Sequence, residues 1–461
     1  MPGKKQMSTF RHDFVLRIIK AINLIVMTAI FVYIWTEYYG PDLYFREFYR
    51  RGYWVLAALF AFLYYKFGRT YDAFHISYDR LTEMVYSHGL SLVITDFIMM
   101  VITWLLMRHL PALLPIIAIF VLQFVFAIAW CWCARIWYFK IFPAKKSVII
   151  YDMREGMEDL ISEYGMDQKF SVEETVHIND AMRNIDFLER FEVVFLFGVH
   201  SHDRNIVIKQ CIEKGKTSYV IPRIGDVIMS GAKEMHMFHL PVLRVSRYNP
   251  NPEFTIIKRA FDIVLSGLML VVLSPLMLVV ALLIKRDKGP AFYKQIRLTK
   301  DSREFKVLKF RSMRVDAEKD GVARLSSGDN DDRITPVGKV IRKVRLDELP
   351  QLINIFKGDM SFVGPRQERP EIAKQYEEEL PEFRLRLQAK AGLTGLAQVY
   401  GKYNTTPYDK LMMDLMYIAH PGIVQDLRIL FATVKILFLP ESTEGIDVGQ
   451  TTAMDGKNKN C

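Results

Sequence analysis

Five apolar segments stand out along the chain, separated by stretches rich in charged residues. The first four lie within the first 134 residues and predict a bundle of four membrane helices, because about 20 apolar residues cross a bilayer. Aromatic residues are frequent at their ends, as is typical of helix ends at a membrane surface. The second segment is the shortest of the four. The segments comprise residues 18–35, 53–65, 85–107 and 113–134.

Basic residues flank these four segments. They precede the first segment, separate the second from the third and follow the fourth, so the positive-inside rule places both ends of the bundle in the cytoplasm. Three arginines in the first loop weaken this signal. Asp96 lies inside the third segment, where an acidic residue is a candidate functional group. The alternative is an acid that faces the bundle and bonds to a neighbouring helix.

The fifth apolar segment, residues 261–284, is long enough to cross a membrane but has Ser274 and Pro275 at its centre. Proline inside a helix removes a backbone hydrogen bond and clashes with the preceding turn. Both flanks are basic, which favours the cytoplasmic side for each end. The pattern predicts a re-entrant helix that breaks at Ser274-Pro275, and a kinked helix that crosses the bilayer is the alternative. The basic flanks are Lys258 and Arg259 before the segment and Lys285, Arg286 and Lys288 after it.

Residues 144–248 show short strand patterns that alternate with helical ones, which predicts a small parallel sheet of the Rossmann-like kind. The turn after the first strand has one glycine, Gly156, instead of the G-x-G-x-x-G of dinucleotide sites. We therefore expect a structural or regulatory domain, and this argues against a nucleotide-sugar dehydratase. Strands are predicted at 147–151, 191–198 and 218–221, and helices at 157–164 and 205–214.

Composition and charge narrow the possible functions. The chain is 51% apolar with a net charge of +10, which favours an anionic membrane surface and phosphate-bearing substrates. No helix-turn-helix, zinc-finger or aromatic-basic RNA motif is present, so nucleic-acid binding is not expected. The four cysteines are scattered and indicate neither a disulfide framework nor a metal cluster. The polar tail, residues 440–461, is predicted to be disordered.

The stretch from Thr335 to Gly358 contains the strongest candidate chemistry. Thr335 and Pro336 predict the start of one helix, and Gly358 predicts the end of a second. Asp347 and Glu348 lie at the junction between them. Asp347 at this position is either an ordinary helix N-cap or an ionised nucleophile that attacks phosphorus, and Glu348 could hold a magnesium ion.

Several cations accompany this acidic pair. A predicted strand contains Lys309 and Arg311 on one face, and the helix before the acidic pair has a basic side that includes Arg342. A glycine-proline turn presents Arg366, and arginine binds phosphate oxygens through two parallel hydrogen bonds. A solvated surface is the alternative for each of these cations. Together they predict a phosphate-binding or nucleotide-binding site.

These motifs resemble those of the bacterial polyprenyl-phosphate hexose-1-phosphate transferases that initiate capsule and exopolysaccharide repeat units. The resemblance is dense over residues 258–435 and mainly architectural over residues 1–250. Two motifs depart from the family pattern, because Pro365-Arg366 lacks the second proline and Ala391 replaces a proline before the glycine loop. The motifs that carry the resemblance are the Lys258-Arg259 start, Ser274-Pro275, KFRSM at 309–313, LDELPQL at 346–352, GDMSFVGPR at 358–366 and GLTGLAQV at 392–399.

The resemblance implies a complete mechanism. Asp347 would attack the β-phosphorus of a UDP-sugar and release UMP, and undecaprenyl phosphate would then take the sugar phosphate from the enzyme. Glu348 would bind Mg²⁺, Arg366 would contribute to nucleotide binding, and Ser274-Pro275 would break the re-entrant helix. Lys258 and Arg259 would lie at the membrane interface.

The predicted protein is thus a multi-pass protein of the bacterial inner membrane with its catalytic domain on the cytoplasmic face. Its fold class is an α-helical membrane bundle, a Rossmann-like α/β domain and an α-rich monotopic catalytic domain with a re-entrant helix. A non-catalytic scaffold for polysaccharide assembly is the rival hypothesis. The sequence does not fix the hexose, for which glucose and galactose are the leading options. It does not fix the oligomeric state either, and a homo-oligomer is one possibility. The predicted domains are residues 1–143, 144–248 and 249–439.

Overall fold

The computed structural model describes residues 2–44, 50–153, 156–286, 289–315, 317, 333–401 and 405–436, with side chains from residue 14 onward except that of Arg50. The predicted disordered tail, residues 440–461, lies outside the described residues. The chain divides into two compact units, Met1–Ile221 and Pro222–Cys461.

The first unit begins with four long helices. Three of them, over Phe14–Tyr38, Leu81–Met107 and Leu113–Ile141, are long and apolar enough to cross a membrane, while α2 is helical as predicted but is not among them. Stacked rings of Phe31 and Phe60, 4.5 Å apart, pack α1 against α2. The helices are α1 (Pro2–Tyr38), α2 (Arg50–Thr70), α3 (Leu81–Met107) and α4 (Leu113–Ile141).

Polar side chains are buried in the core of this bundle. The Tyr64 hydroxyl contacts Asn23 Oδ1 at 2.9 Å and His88 Nδ1 at 2.7 Å. Asp96 is also buried, but neither of its carboxylate oxygens has a hydrogen-bond partner in the described part of the chain. The predicted bond from Asp96 to a neighbouring helix is therefore not seen.

A four-stranded parallel sheet follows the bundle, in the order β2-β1-β3-β4, which confirms the predicted parallel sheet. Val148, Ile150, Val194 and Leu196 form its core on one face. The strand β2 was not predicted, because its polar residues, among them the adjacent Glu173 and Glu174, prevent an apolar run. The elements are β1 (Lys145–Tyr151), α5 (Met157–Glu163), β2 (Phe170–His177), α6 (Ile178–Arg183), β3 (Val193–Phe197), α7 (Ser201–Glu213) and β4 (Thr217–Val220).

The second unit begins at Pro222, earlier than the predicted domain start at residue 249. The reason is a short helix, α8, whose Val227 is buried in the same apolar core as Leu411 and Leu415. A two-stranded hairpin then leads to the fifth apolar segment. The elements up to that segment are α8 (Ile224–Ser230), β5 (Lys233–Met237), β6 (Leu240–Arg244) and α9 (Pro252–Lys285).

The remaining elements of this unit are mostly short helices that surround two small sheets. The pair β7 and β8 is antiparallel, and the pair β9 and β10 is parallel. The elements are β7 (Phe292–Leu298), β8 (Glu304–Phe310), α10 (Pro336–Lys343), α11 (Gln351–Lys357), β9 (Ser361–Val363), α12 (Pro370–Glu379), β10 (Gly392–Thr394), α13 (Leu396–Tyr400), α14 (Pro407–Ala419) and α15 (Ile423–Ile436).

Helix α9 runs through Ser274 and Pro275 with the proline inside it, so its helical hydrogen bonding continues at the pair where the re-entrant break was predicted. Proline lacks the N–H that would bond to the carbonyl four residues earlier, here that of Val271. The Ser274 hydroxyl donates a hydrogen bond to Val271 O at 2.8 Å. The serine therefore satisfies the acceptor that the proline leaves unpaired, which explains how the helix continues.

The two halves of α9 pack on different parts of the second unit. Leu265, Met269 and Leu273 pack against the main apolar core of the unit. Val280 and Ile284 are buried in a separate cluster with Phe310 and Ile341. The residues around Ser274-Pro275, between these two contact zones, are exposed, as is the apolar face of the helix that contains Val264, Leu268 and Val271.

Candidate active site

The two adjacent carboxylates lie in a short turn of 3-10 helix, Leu346–Glu348, between α10 and α11. Thr335 caps α10 through a hydrogen bond from Gly338 N at 3.0 Å, as predicted. The chain turns sharply after α10 at Arg345, which has a left-handed φ of 52°. Leu346 and Leu349 then pack in the cluster at the C-terminal end of α9. These contacts place the carboxylates beside that end of the apolar helix.

Glu348 is held by two cations. Its Oε1 accepts hydrogen bonds from Lys309 Nζ at 3.1 Å and from Arg366 Nη2 at 3.0 Å. Burial by itself would raise the pKa of Glu348, but the charges of Lys309, Arg366 and Arg345 outweigh that effect and lower the pKa below its ordinary value. Glu348 is therefore a fixed, ionised carboxylate at neutral pH.

Asp347 is different from its neighbour. Its carboxylate has no hydrogen bond or ion pair among the described residues, and it does not act as a helix N-cap. Burial, and next the negative charge of Glu348, raise the pKa of Asp347 above its ordinary value, while Lys309, Arg342 and Arg366 oppose the shift. An oxygen of Asp347 is thus uncommitted and close to cations, which is what a nucleophile toward phosphorus requires.

Arg366 follows a turn that is built on glycines. Gly364 N donates to Thr394 O at 2.9 Å, and Gly392 N donates to Pro365 O at 2.9 Å. A methyl group on Gly392 would lie 2.2 Å from Gly364 N, so the backbones approach too closely for any side chain. The glycine loop at 392–395 therefore packs closely against the Arg366 turn and restrains its backbone.

The structure does not place every predicted site residue in this cluster. Arg311 lies just after β8, and its buried guanidinium donates to Ile284 O at 3.1 Å, in the last turn of α9. Lys258 is engaged with Asp426 and with Val363 O, and Arg259 donates to Ile355 O and Phe356 O at 2.8 Å each. These three cations connect the two ends of the apolar helix α9 to the rest of the second unit.

Sequence reasoning missed two contributors to the site. Arg345 was not named as a site residue, yet it lies within electrostatic reach of both carboxylates. Arg386 was not singled out, although its guanidinium donates to Arg366 O at 2.8 Å. A buried arginine in a polar stretch gives no periodic signal, so only the structure reveals this contact.

The local charge is positive. Four cations, Lys309, Arg342, Arg345 and Arg366, act on one or both of the two carboxylates, so cations outnumber carboxylates in this cluster. No group of three or more metal-ligating side chains occurs among the residues that the structure describes. The site is therefore suited to an anion with about two negative charges, or to a divalent cation only when such an anion accompanies it.

The fold and the site first define a class: a protein with membrane-type apolar helices and a cationic site around two adjacent carboxylates. Residues 253–440 match the sequence profile of the bacterial sugar transferase family. The chain is 44% identical over 189 residues to the exopolysaccharide production protein PSS of Rhizobium leguminosarum bv. phaseoli, covering 39% of this chain and 94% of that relative. The chain therefore belongs to the bacterial sugar transferase family.

Other relatives are named for specific reactions. A UDP-glucose:undecaprenyl-phosphate glucose-1-phosphate transferase of Caulobacter vibrioides is 39% identical over 191 residues, covering 40% of this chain and 71% of the relative. A UDP-N-acetylgalactosamine-undecaprenyl-phosphate N-acetylgalactosaminephosphotransferase of Aeromonas hydrophila is 37% identical over 223 residues, covering 48% of this chain. The chain spans 52% of that second relative's length. The residues matched by the family profile all lie in the second unit.

Proposed function

We propose that the protein transfers a sugar 1-phosphate from a UDP-hexose to undecaprenyl phosphate, as the first membrane step of exopolysaccharide or capsule synthesis. The observation that carries this proposal is the contrast within the acidic pair. Asp347 is uncommitted among the described residues, while Glu348 is held by Lys309 and Arg366. The names of the relatives support the same substrates.

The proposed reaction has two steps. In the first, an Asp347 oxygen attacks the β-phosphorus of the UDP-sugar, a P–O bond forms, and the bond to the α-phosphate breaks to release UMP. In the second, a phosphate oxygen of undecaprenyl phosphate attacks the same phosphorus, and the bond to Asp347 breaks. One phosphoanhydride replaces another, so catalysis requires mainly positioning and charge stabilisation, which the cations supply.

Magnesium is part of the proposal. Mg²⁺ usually takes one or two carboxylates together with substrate phosphates. The Oε2 of Glu348 and the carboxylate of Asp347 have no partner among the described residues, so they are the protein oxygens suited to it. The ion would supply neutralisation of phosphate charge. Because the site has excess positive charge, we expect the ion to enter with the diphosphate of the donor.

The same proposal places the site on the cytoplasmic face, with α9 entering and leaving by one side of the membrane. Both halves of α9 pack on the second unit, at Leu265 on one side of Ser274-Pro275 and at Ile284 on the other. A helix that crossed the bilayer would carry one of these contact zones away from the cytoplasm. A single cysteine introduced at Lys285, and another at Asn251, should both react only with cytoplasmic reagents, and labelling of Lys285→Cys from outside would contradict re-entrance.

The decisive experiment measures both products. Purified protein in detergent, with Mg²⁺ and undecaprenyl phosphate, is incubated with radiolabelled UDP-glucose, UDP-galactose or UDP-N-acetylgalactosamine. We expect UMP release and an organic-soluble sugar product with one of these donors. Asp347→Asn should abolish both products, by at least about 1,000-fold, because the amide cannot act as the nucleophile.

The matched control is Glu378→Gln, which removes a carboxylate from the exposed side of α12 and should leave both products unchanged. Mass spectrometry of the enzyme with donor alone should detect the sugar-phosphate adduct on Asp347. Full activity of Asp347→Asn would remove Asp347 as the nucleophile. An inactive wild-type protein with all three donors would favour the rival, a non-catalytic scaffold.

A further inference from the structure

We propose that Arg386 is a positioning residue that sets the backbone of the Arg366 turn and thereby fixes where the Arg366 guanidinium meets Glu348. The proposal rests on the proposed function, since it concerns the efficiency of the same site. Arg386 lies in the 3-10 helix Pro381–Gln388, and its side chain is only 2% exposed. It is therefore out of reach of a ligand and acts through its neighbours.

The key contact is to main chain. Arg386 Nη2 donates to the carbonyl oxygen of Arg366 at 2.8 Å. The two preceding residues, Gly364 and Pro365, are held by the glycine loop through backbone hydrogen bonds at 2.9 Å. Three successive residues of the turn are thus restrained: Arg366 also forms an isolated β-bridge with Gly392, and Arg386 adds a hydrogen bond to the Arg366 carbonyl. The side chain that leaves this turn donates from Nη2 to Glu348 Oε1 at 3.0 Å.

Arg386 is itself held by buried acids. Asp414 on α14, with a side chain 1% exposed, places Oδ2 at 2.7 Å from Arg386 Nη2, and Glu368 Oε1 lies 3.5 Å from Nη1. Buried ion pairs seldom add net stability compared with apolar residues of similar size. The contact with Asp414 lacks hydrogen-bond geometry, so Asp414 holds the guanidinium by charge, and the directional contact of Arg386 is its hydrogen bond to Arg366 O. Asp414 orients Arg386, and Arg386 orients the turn.

The Arg366 side chain is 38% exposed, so it lies at the surface of the site. A change in the turn would move both its contact with Glu348 and the atoms that face the donor. Small misplacements of a reactive group cost about 100-fold in rate. We therefore expect Arg386→Gln to lower kcat/KM for the UDP-sugar about 100-fold, mainly through kcat.

The first control is Arg384→Gln, which removes an exposed arginine from the same 3-10 helix and should leave kinetics unchanged. Arg386→Lys keeps the charge opposite Asp414 but not the planar fork, so it should recover less than a tenth of the lost activity. Thermal unfolding and size-exclusion profiles are recorded for each variant. If Arg386→Gln does not fold, the kinetics of Arg386→Lys and Asp414→Asn are compared with those of the wild type instead.

The discriminating experiment is a double-mutant cycle with Arg366→Gln. If Arg386 acts through Arg366, its substitution should cost less than about 3-fold in kcat/KM once Arg366 is already glutamine. Equal losses in both backgrounds, in folded protein, would show a general structural role and overturn the proposal. A wild-type protein that releases no UMP would overturn the proposed function and this inference with it, whereas an active wild type with additive losses would overturn only the inference.

Discussion

At the scale of single residues, the site separates two adjacent carboxylates by their partners. One oxygen of Glu348 accepts hydrogen bonds from both Lys309 and Arg366. The carboxylate of Asp347 accepts none from a described residue. The opposite pKa shifts of the pair follow from this difference and from burial. A fixed carboxylate cannot approach phosphorus, whereas an uncommitted one can, and this difference supports the proposed roles of the two residues.

A pH profile tests this assignment. Because the pKa of Asp347 is raised, the acidic limb of kcat/KM should lie at a higher pH than an ordinary aspartate would give. Activity should rise as pH rises through that limb, since only the ionised form attacks. Arg342 favours the ionised form, so Arg342→Gln should move the limb to still higher pH. Lys343→Gln, an exposed cation on the same helix, is the control and should leave the limb in place.

A limb that did not move in Arg342→Gln would mean that another group controls the acidic side of the profile. A limb that moved to lower pH would contradict the electrostatic assignment of Asp347, because removal of a nearby cation cannot stabilise its carboxylate.

At the scale of elements, α9 shows how a helix tolerates proline. Ser274 donates to the Val271 carbonyl that Pro275 leaves unpaired. Ser274→Ala should destabilise the second unit by about 1–2 kcal/mol, the cost of an unsatisfied acceptor in an apolar surrounding. In a Pro275→Ala background the backbone N–H returns, and the serine substitution should then be nearly neutral. Thermal unfolding in detergent measures both effects, and equal losses in the two backgrounds would contradict this role of Ser274.

The glycine loop makes a second prediction for an element. Gly392→Ala would place a methyl group 2.2 Å from Gly364 N, so the pairing of β9 with β10 would have to open. We expect a loss of about 2 kcal/mol or more in unfolding free energy and of most transferase activity. Gly422→Ala is the control, because a methyl group there meets no atom within 4 Å. An active and stable Gly392→Ala protein would show that the Arg366 turn does not need this close contact with the glycine loop.

Sequence reasoning succeeded where local chemistry dictates structure. The Thr335 cap, the end of α11 at Gly358 and the junction at Asp347 and Glu348 follow from cap and turn preferences, and the structure contains each of them. It failed where long-range contacts decide. Arg311 donates a hydrogen bond to Ile284, 27 positions earlier in the chain, at the end of α9. Arg386 donates one to Arg366, 20 positions earlier. The hydrophobic periodicity of the sequence gives no signal for such pairs.

At Ser274-Pro275, where a break was predicted, the helix continues through the proline. The rule for proline counts only backbone groups, and the compensating donor here is a side chain. The domain start near residue 249 was also placed from local composition, whereas the burial of Val227 assigns α8 to the second unit. A local side-chain hydrogen bond decides the first point, and packing partners remote in sequence decide the second.

At the scale of the whole molecule, the second unit is a compact body with its own apolar cores. A chain that begins at Pro222 should therefore fold in detergent and keep the chemical step, while one that begins at Asn249 should be less stable by about 2 kcal/mol because it lacks the buried Val227. Thermal unfolding and UMP release of the two truncated chains test this. Equal stability of the two would show that α8 is dispensable.

The exposed apolar face of α9, with Val264, Leu268 and Val271, has a practical consequence for handling the protein. Deleting α1–α4 removes most of the spans yet leaves this face uncovered, so the shortened enzyme should still require detergent or lipid and should resist extraction by alkaline carbonate or high salt. Conversion into a water-soluble protein would call for redesign of the outer side of this one helix, with the inner side left intact to keep Asp347, the proposed nucleophile, in place.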